Sequence, residues 1–229
     1  MIYAPYMSQA KLRVSEVFTS IQGEGPYTGS RAVFVRLAGC NLRCPFCDTK
    51  YSLDPTTGVE ISIEELVEVI RREKPQIVVV TGGEPLLQRR AVVDLALSLE
   101  SAGIIVQVET NGTIPPPLDI PSNMVFVVSP KNIPVKVSNA VLREEWINLA
   151  RSSSYVWFKF LASSRQDVHR IKDYLLAENI PLEKVQVMPL TREDMSMEEL
   201  VELHREIARA SLEAGIGFSP RLHLILGLK

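Results

Sequence analysis

Cys40, Cys44 and Cys47 are the only cysteines among 229 residues, and they share one short loop. That loop reads Gly39-Cys40-Asn41-Leu42-Arg43-Cys44-Pro45-Phe46-Cys47-Asp48-Thr49, a C-x3-C-x2-C spacing set directly after an apolar run. An odd number of thiols cannot pair off completely as disulfides, and a closed zinc site takes four ligands. Three thiolates suit a four-iron cluster, with one iron left open for chemistry. Buried, inert cysteines are a poor alternative, because Asn41, Arg43, Pro45 and Asp48 make the loop polar. Zinc completed by a histidine is the other. His169 and His204 fall in helical segments and are expected to face solvent, whereas His223 falls in a final strand nearer the candidate site.

Three more segments gather polar residues behind apolar runs: Thr81-Gly82-Gly83-Glu84-Pro85, Glu109-Thr110-Asn111-Gly112-Thr113 and Ser129-Pro130-Lys131. Paired glycines let a ligand approach bare backbone and its N–H groups. Glu84 and Glu109 read equally as helix caps or as partners of a cationic ligand group.

The elements that must hold these segments alternate between strand and helix. Strands are predicted over Arg13–Ile21, Ala32–Leu37, Ile77–Val80, Ile104–Val108, Met124–Val128, Tyr155–Phe160 and Lys184–Met188, with an extended segment over Gly217–Ile225. The run Ile77–Val80 is wholly apolar, as in a parallel strand covered on both faces. Helices are predicted from Ser62, over Leu86–Ser101, near Ser138–Ala150, and over Arg165–Glu178 and Ser196–Ala214. Ser62 with Glu65 has capping-box spacing, and the proline-rich stretch Ile114–Pro121 reads as a surface loop. This pattern is α/β and points to a parallel barrel. A full eight-unit barrel takes about 250 residues, and only about six units are legible, so a partial barrel is expected. Each polar segment then falls at a strand's carboxyl end, where such folds keep their functional groups.

The chain reads as one domain, 1–229, large enough for its own core. A net charge of -2 leaves no electrostatic footprint for nucleic acid. No apolar stretch nears the roughly 18 residues of a membrane span. Met1–Lys11 lacks a signal-peptide pattern. Reduced cysteines in the cytoplasm are therefore expected.

The C-x3-C-x2-C loop with Phe46 before Cys47, together with Thr81–Pro85, resembles the radical S-adenosylmethionine (radical SAM) superfamily. A closer resemblance is to its 7-carboxy-7-deazaguanine synthase family. It is carried by Ser20-Ile21-Gln22-Gly23-Glu24-Gly25, Arg36-Leu37-Ala38-Gly39-Cys40-Asn41-Leu42, Cys47-Asp48-Thr49, Glu109–Thr113, Ser129-Pro130-Lys131 and His223 with Gly227-Leu228. These run from about residue 14 to 228.

The resemblance implies a partial radical SAM barrel. Its reaction would turn 6-carboxy-5,6,7,8-tetrahydropterin into 7-carboxy-7-deazaguanine with loss of ammonia, for queuosine or archaeosine precursors. It implies a 4Fe-4S cluster on Cys40, Cys44 and Cys47, and SAM contacts from Phe46, Cys47, Asp48, Gly83, Ser129, Pro130 and Lys131, with Met188–Thr191 beside them. Thr49 would ligate Mg2+, and Ile21, Gln22, Gly23, Glu24, Arg36, Thr81 and His223 would hold the pterin. An arginine such as Arg36 can pair with a carboxylate bidentately, and a hydroxyl such as Thr49, with waters, suits a hard cation. A flavodoxin- or ferredoxin-type electron donor and a homodimer are implied too.

Two departures from the family pattern stand out. Ser219-Pro220-Arg221-Leu222 lacks the glutamine of the usual Gln-Thr-His run, and the sequence closes on Gly227-Leu228-Lys229 rather than near Gly-Leu-Pro. The rivals are a glycyl-radical activating enzyme, which shares the cysteine spacing, and a non-enzymatic iron–sulfur or zinc module. Electron carriers normally supply four cysteines per cluster.

Overall fold

The computed structural model describes residues 10–229. Residues 1–9, most of the stretch read for a signal peptide, lie outside the described residues. Six full parallel strands carry the site: β2 (Arg31–Leu37), β4 (Ile77–Gly82), β5 (Ile105–Thr110), β6 (Met124–Val128), β7 (Val156–Ala162) and β8 (Val185–Pro189). A two-residue β9, Gly217–Phe218, extends them. β1 (Lys11–Ile21) and β3 (Val59–Ser62) add an antiparallel edge, and the order is β3-β1-β2-β4-β5-β6-β7-β8-β9. The edge strands β3 and β9 are not paired with each other, so the sheet stays open. The partial barrel expected from the sequence is what forms.

Helices cross over between parallel strands: α2 (Arg89–Glu100), α3 (Glu144–Ser152), α4 (Arg165–Ala177) and α5 (Met197–Ala214). α1 (Ile63–Glu73) lies in the longer connection from β2 to β4. Ser62 and Glu65 form the expected capping box, with Lys74 in the left-handed region (φ 48°) closing the helix. Ser196 and Glu199 do the same for α5, which ends at Gly215. Between β5 and β6 no helix forms, because the proline-rich loop fills the connection.

One apolar core runs beneath these elements. Phe126, Trp146, Phe158 and Phe160 are among its largest fully buried side chains. Phe126 packs on Trp146 with centroids 5.0 Å apart, and the Trp146 Nε1–H donates to the Ile114 carbonyl (2.8 Å). That bond fastens the proline-rich loop to the core. No helix among the described residues is long and apolar enough to cross a membrane.

The structure corrects four sequence expectations. Gly217–Ile225 is not one extended segment: Pro220 ends the ladder after β9, and Leu222–Ile225 turns into a short helix, α6. His223 therefore sits on a helix. The helix expected near Ser138 starts only at Glu144, after Arg143 donates its N–H to the Gly112 carbonyl. His204 is buried rather than solvent-facing, its ring held between the Leu200 carbonyl (2.7 Å) and the Arg221 N–H (3.1 Å). β3 was not expected at all.

Candidate active site

At the carboxyl ends of the parallel strands, one cavity of about 240 Å³ opens. The cysteine loop leaves β2 there and meets the Gly82-Gly83-Glu84 turn leaving β4. Gly83 N–H donates to the Leu37 carbonyl (2.9 Å) and Glu84 N–H to the Gly39 carbonyl (2.8 Å). A Cβ on Gly83 would stand 2.0 Å from the Gly39 oxygen, and Gly82 has φ +116°. Thus the two glycines serve close backbone packing, and the N–H groups of Gly83 and Glu84 bond the end of β2 and the start of the cysteine loop.

Glu84 locks a third loop to these two. Its buried carboxylate accepts from Thr110 Oγ1 (2.7 Å), Asn111 N (2.7 Å) and Leu86 N (3.0 Å). Burial pushes this carboxyl up, against the pull of those bonds. The cap reading of Glu84 is thereby met, with a second duty added. Asn41 on the cysteine loop completes the tie by donating to Thr113 Oγ1 (2.7 Å) and accepting from Asn111 Nδ2 (3.0 Å).

All three thiols are free, half-buried and on the cavity wall. Burial pushes Cys40 and Cys44 up, so as bare thiols they stay protonated near neutrality. The loop's Arg43 spends its Nη1 on the Cys40 and Leu42 carbonyls. Among the described residues, no three His, Cys, Asp or Glu side chains converge on a single-ion site. Spread thiols on one wall fit a cluster that takes one thiolate per iron, each thiolate stabilised by the metal. Thr49 lines the cavity with its Oγ1 3.8 Å from Cys47 Sγ.

The same cavity is lined by the carboxylates Glu24, Asp48 and Glu109. β1 runs against β2, pairing Ile21 with Arg31, so residues 22–24 start from the amino end of the parallel strands. Gln22 and Glu24 reach the cavity with their side chains. Gln22 Nε2 donates to Glu109 Oε1 (3.2 Å), and Gln22 Oε1 accepts from Glu24 N (3.1 Å). Glu24 pairs with Lys159 (2.6 Å) and Arg221 (3.0 Å). Burial alone would raise its carboxyl, but Lys159, Arg221 and His223 outweigh that and hold it far below the usual carboxylate range. Burial likewise works against the Lys159 ammonium, and Glu109 and Glu24 hold it above the usual lysine range.

Arg221 ties three segments of the site together. Its Nη2 reaches Asp48 (2.5 Å), its Nη1 Thr191 (2.5 Å) and its Nε Glu24. On the neighbouring wall Arg36 faces Thr81 across the β2–β4 register. Its buried Nε lies 3.5 Å from Glu16 and makes no hydrogen bond. Lys131 donates to Ser129 Oγ (2.6 Å); burial and then Lys159 push it down. His223, also pushed down by burial, lies 3.9 Å from Glu24.

The cavity thus gathers Gln22, Glu24, Arg36, the three cysteines, Phe46, Asp48, Thr49, Thr81, Gly83, Ser129, Lys131, Met188–Thr191 and His223. Ile21, Gly23 and Pro130 do not line it. Gly23 instead lends its carbonyl to Leu222 N (2.9 Å) and leaves space for His223, whose Nδ1 a Cβ there would meet at 2.0 Å. The sequence reading missed Lys159 and Arg221. A lysine inside an otherwise apolar parallel strand was a readable signal, since unpaired lysine is almost never buried.

Residues 35–121 match the Radical SAM superfamily. The chain is also 51% identical over 219 residues to the 7-carboxy-7-deazaguanine synthase of Hyperthermus butylicus, covering 95% of this chain and 93% of that one. The chain belongs to the 7-carboxy-7-deazaguanine synthase family. A second 7-carboxy-7-deazaguanine synthase, from Pyrobaculum aerophilum, is 42% identical, with 94% of each chain covered. The fold is shared with QueE from Escherichia coli at TM-score 0.74 and 23% identity, over 95% of this chain and 97% of that one. Membership of a 7-carboxy-7-deazaguanine synthase family with a radical SAM core makes the chain a radical SAM enzyme, with a 4Fe-4S cluster and SAM as cofactors.

Proposed function

We propose that this chain, as a single domain, converts 6-carboxy-5,6,7,8-tetrahydropterin to 7-carboxy-7-deazaguanine with release of ammonia. The observation that carries this reading is one cavity lined by all three thiols together with Arg36, Glu24 and Glu109. Cys40, Cys44 and Cys47 would hold the 4Fe-4S cluster. When bound, cluster and SAM supply a radical able to take hydrogen from an unactivated carbon.

The protein's own residues do the rest. Arg36, whose Nε is ion-paired with Glu16 but makes no hydrogen bond, pairs with the substrate carboxylate. Glu24 accepts from the amino-pyrimidine edge, with Gln22, Thr81 and His223 around the ring, and Gly23 acts only by leaving room for His223. Phe46, Asp48, Gly83, Ser129, Lys131 and Met188–Thr191 face SAM. Thr49 offers a hard oxygen to Mg2+ beside the substrate carboxylate. The buried walls exclude water from the reacting atoms. An external flavodoxin- or ferredoxin-type donor, a homodimer and a cytoplasmic setting belong to the same reading.

The test is anaerobic turnover of the carboxy-tetrahydropterin with SAM, reductant and Mg2+. Deazaguanine product, falling when Mg2+ is removed, is expected. A fully loaded enzyme that cleaves SAM yet forms no product overturns the substrate assignment.

A further inference from the structure

Lys159 stands midway along β7 between Phe158 and Phe160, both fully buried. Its side chain is 4% exposed, yet it borders the cavity. Nζ lies 2.6 Å from Glu24 Oε2 and 3.3 Å from Glu109 Oε2. Two carboxylates meeting one point in a buried wall repel, and a cation shared between them offsets that repulsion.

The remaining bonds aim this pair rather than saturate it. Glu109 Oε1 accepts from Gln22 Nε2 and Gln107 Nε2 (3.0 Å), while Glu24 Oε1 accepts from Arg221 Nε. Among the described residues, the Oε2 atom of each glutamate receives Lys159 alone. A carboxylate oxygen has room for more than one donor. The other charged groups acting on this cluster are Arg221, His223, Lys131 and Asp48.

We propose that Lys159 is a positioning residue that holds Glu24 and Glu109 as two ionised carboxylates on one wall, a receptor for the adjacent N–H donors of an amino-pyrimidinone edge. The proposal rests on the pterin reading above. It makes Lys159 a determinant of pterin recognition with no contact to SAM required.

The test is binding of 6-carboxypterin, a fluorescent oxidised pterin, to the cluster-loaded enzyme held under anaerobic conditions, with S-adenosylhomocysteine binding measured in parallel. Wild type should bind 6-carboxypterin with little pH dependence between about pH 6 and 8. Lys159→Met should weaken it by ~tenfold or more, because the two carboxylates lose the cation that holds them side by side. S-adenosylhomocysteine affinity should stay within about twofold, and Lys159→Arg, which can span both carboxylates, should return pterin affinity to within about threefold. If Lys159→Met does not fold, Lys159→Met/Glu109→Gln removes the excess charge and should still lose pterin affinity. Pterin affinity within threefold of wild type in either folded variant overturns the proposal. A wild type that binds S-adenosylhomocysteine but no 6-carboxypterin overturns the pterin reading itself, and the proposal with it.

Discussion

At the scale of single residues, the cavity is a meeting of opposite charges, each side chain holding another in its working state. Cys44→Ala removes one of three thiols and should abolish the visible absorbance of the reconstituted cluster together with SAM cleavage, while far-UV circular dichroism stays unchanged. Retained absorbance at full iron content would refute the ligand assignment. The Glu24–Lys159 pair has a pH signature whose sign follows from its shifts. Glu24 is depressed, so its contribution to stability is in place above the unfolded carboxylate's pKa and is lost as pH falls toward the folded one. Lys159 is raised, so its contribution is in place below the unfolded lysine's pKa and is lost as pH climbs through the folded one. Between about pH 5 and 9 both are complete. The melting temperature of wild type should show no inflection from this pair there, and Lys159→Met should introduce one.

At the scale of elements, the legible parts were those governed by neighbours in sequence. The capping box at Ser62, the helix start at Ser196, the apolar strand Ile77–Val80 and the glycine turn after it depend on local spacing, and each lies where the spacing put it. Ser196→Ala should cost about 1 kcal/mol in chemical denaturation, since it frees N–H groups in the first turn of α5. The glycine turn had the right place but a different reason. Gly83 is small because the cysteine loop's backbone passes against it. Gly83→Ala must push that loop aside, and should lower cluster content and SAM affinity together while the helical signal is kept. An unchanged cluster occupancy would show that the loop has slack. Less legible were elements that exist through distant partners. β3 is a strand because it pairs with β1, and residues 222–225 coil because Pro220 ends the ladder and Leu222 bonds Gly23.

At the scale of the whole molecule, the site is closed by segments from the two ends of the described chain. Residues 219–223 clamp the loop after β1 through Ser219 Oγ, which accepts from Gly25 N (2.8 Å), and through Arg221 and Leu222. The apolar core, by contrast, includes no residue beyond Phe218. A chain ending after Phe218 should therefore still fold, judged by circular dichroism and a cooperative melt, but lose 6-carboxypterin binding. Core loss has the opposite outcome. Trp146→Ala, which empties a fully buried site and drops the bond to Ile114, should destabilise by about 3–5 kcal/mol throughout.

The sequence by itself determined the clustering of all three thiols on one loop, most of the order of strands and helices, and the polar segments at strand ends, because thiol spacing, apolar periodicity and capping are local properties of the chain. It also marked most of the residues that come to line one cavity. Only the tertiary structure decided that β1 runs backwards into the barrel, that His204 is buried behind Arg221, and that Lys159 neutralises two glutamates 135 and 50 residues away in sequence. The reason is physical. A buried charge is tolerable only beside its counter-charge, and which groups become neighbours is settled by the curvature and pairing of the sheet, not by any window along the chain.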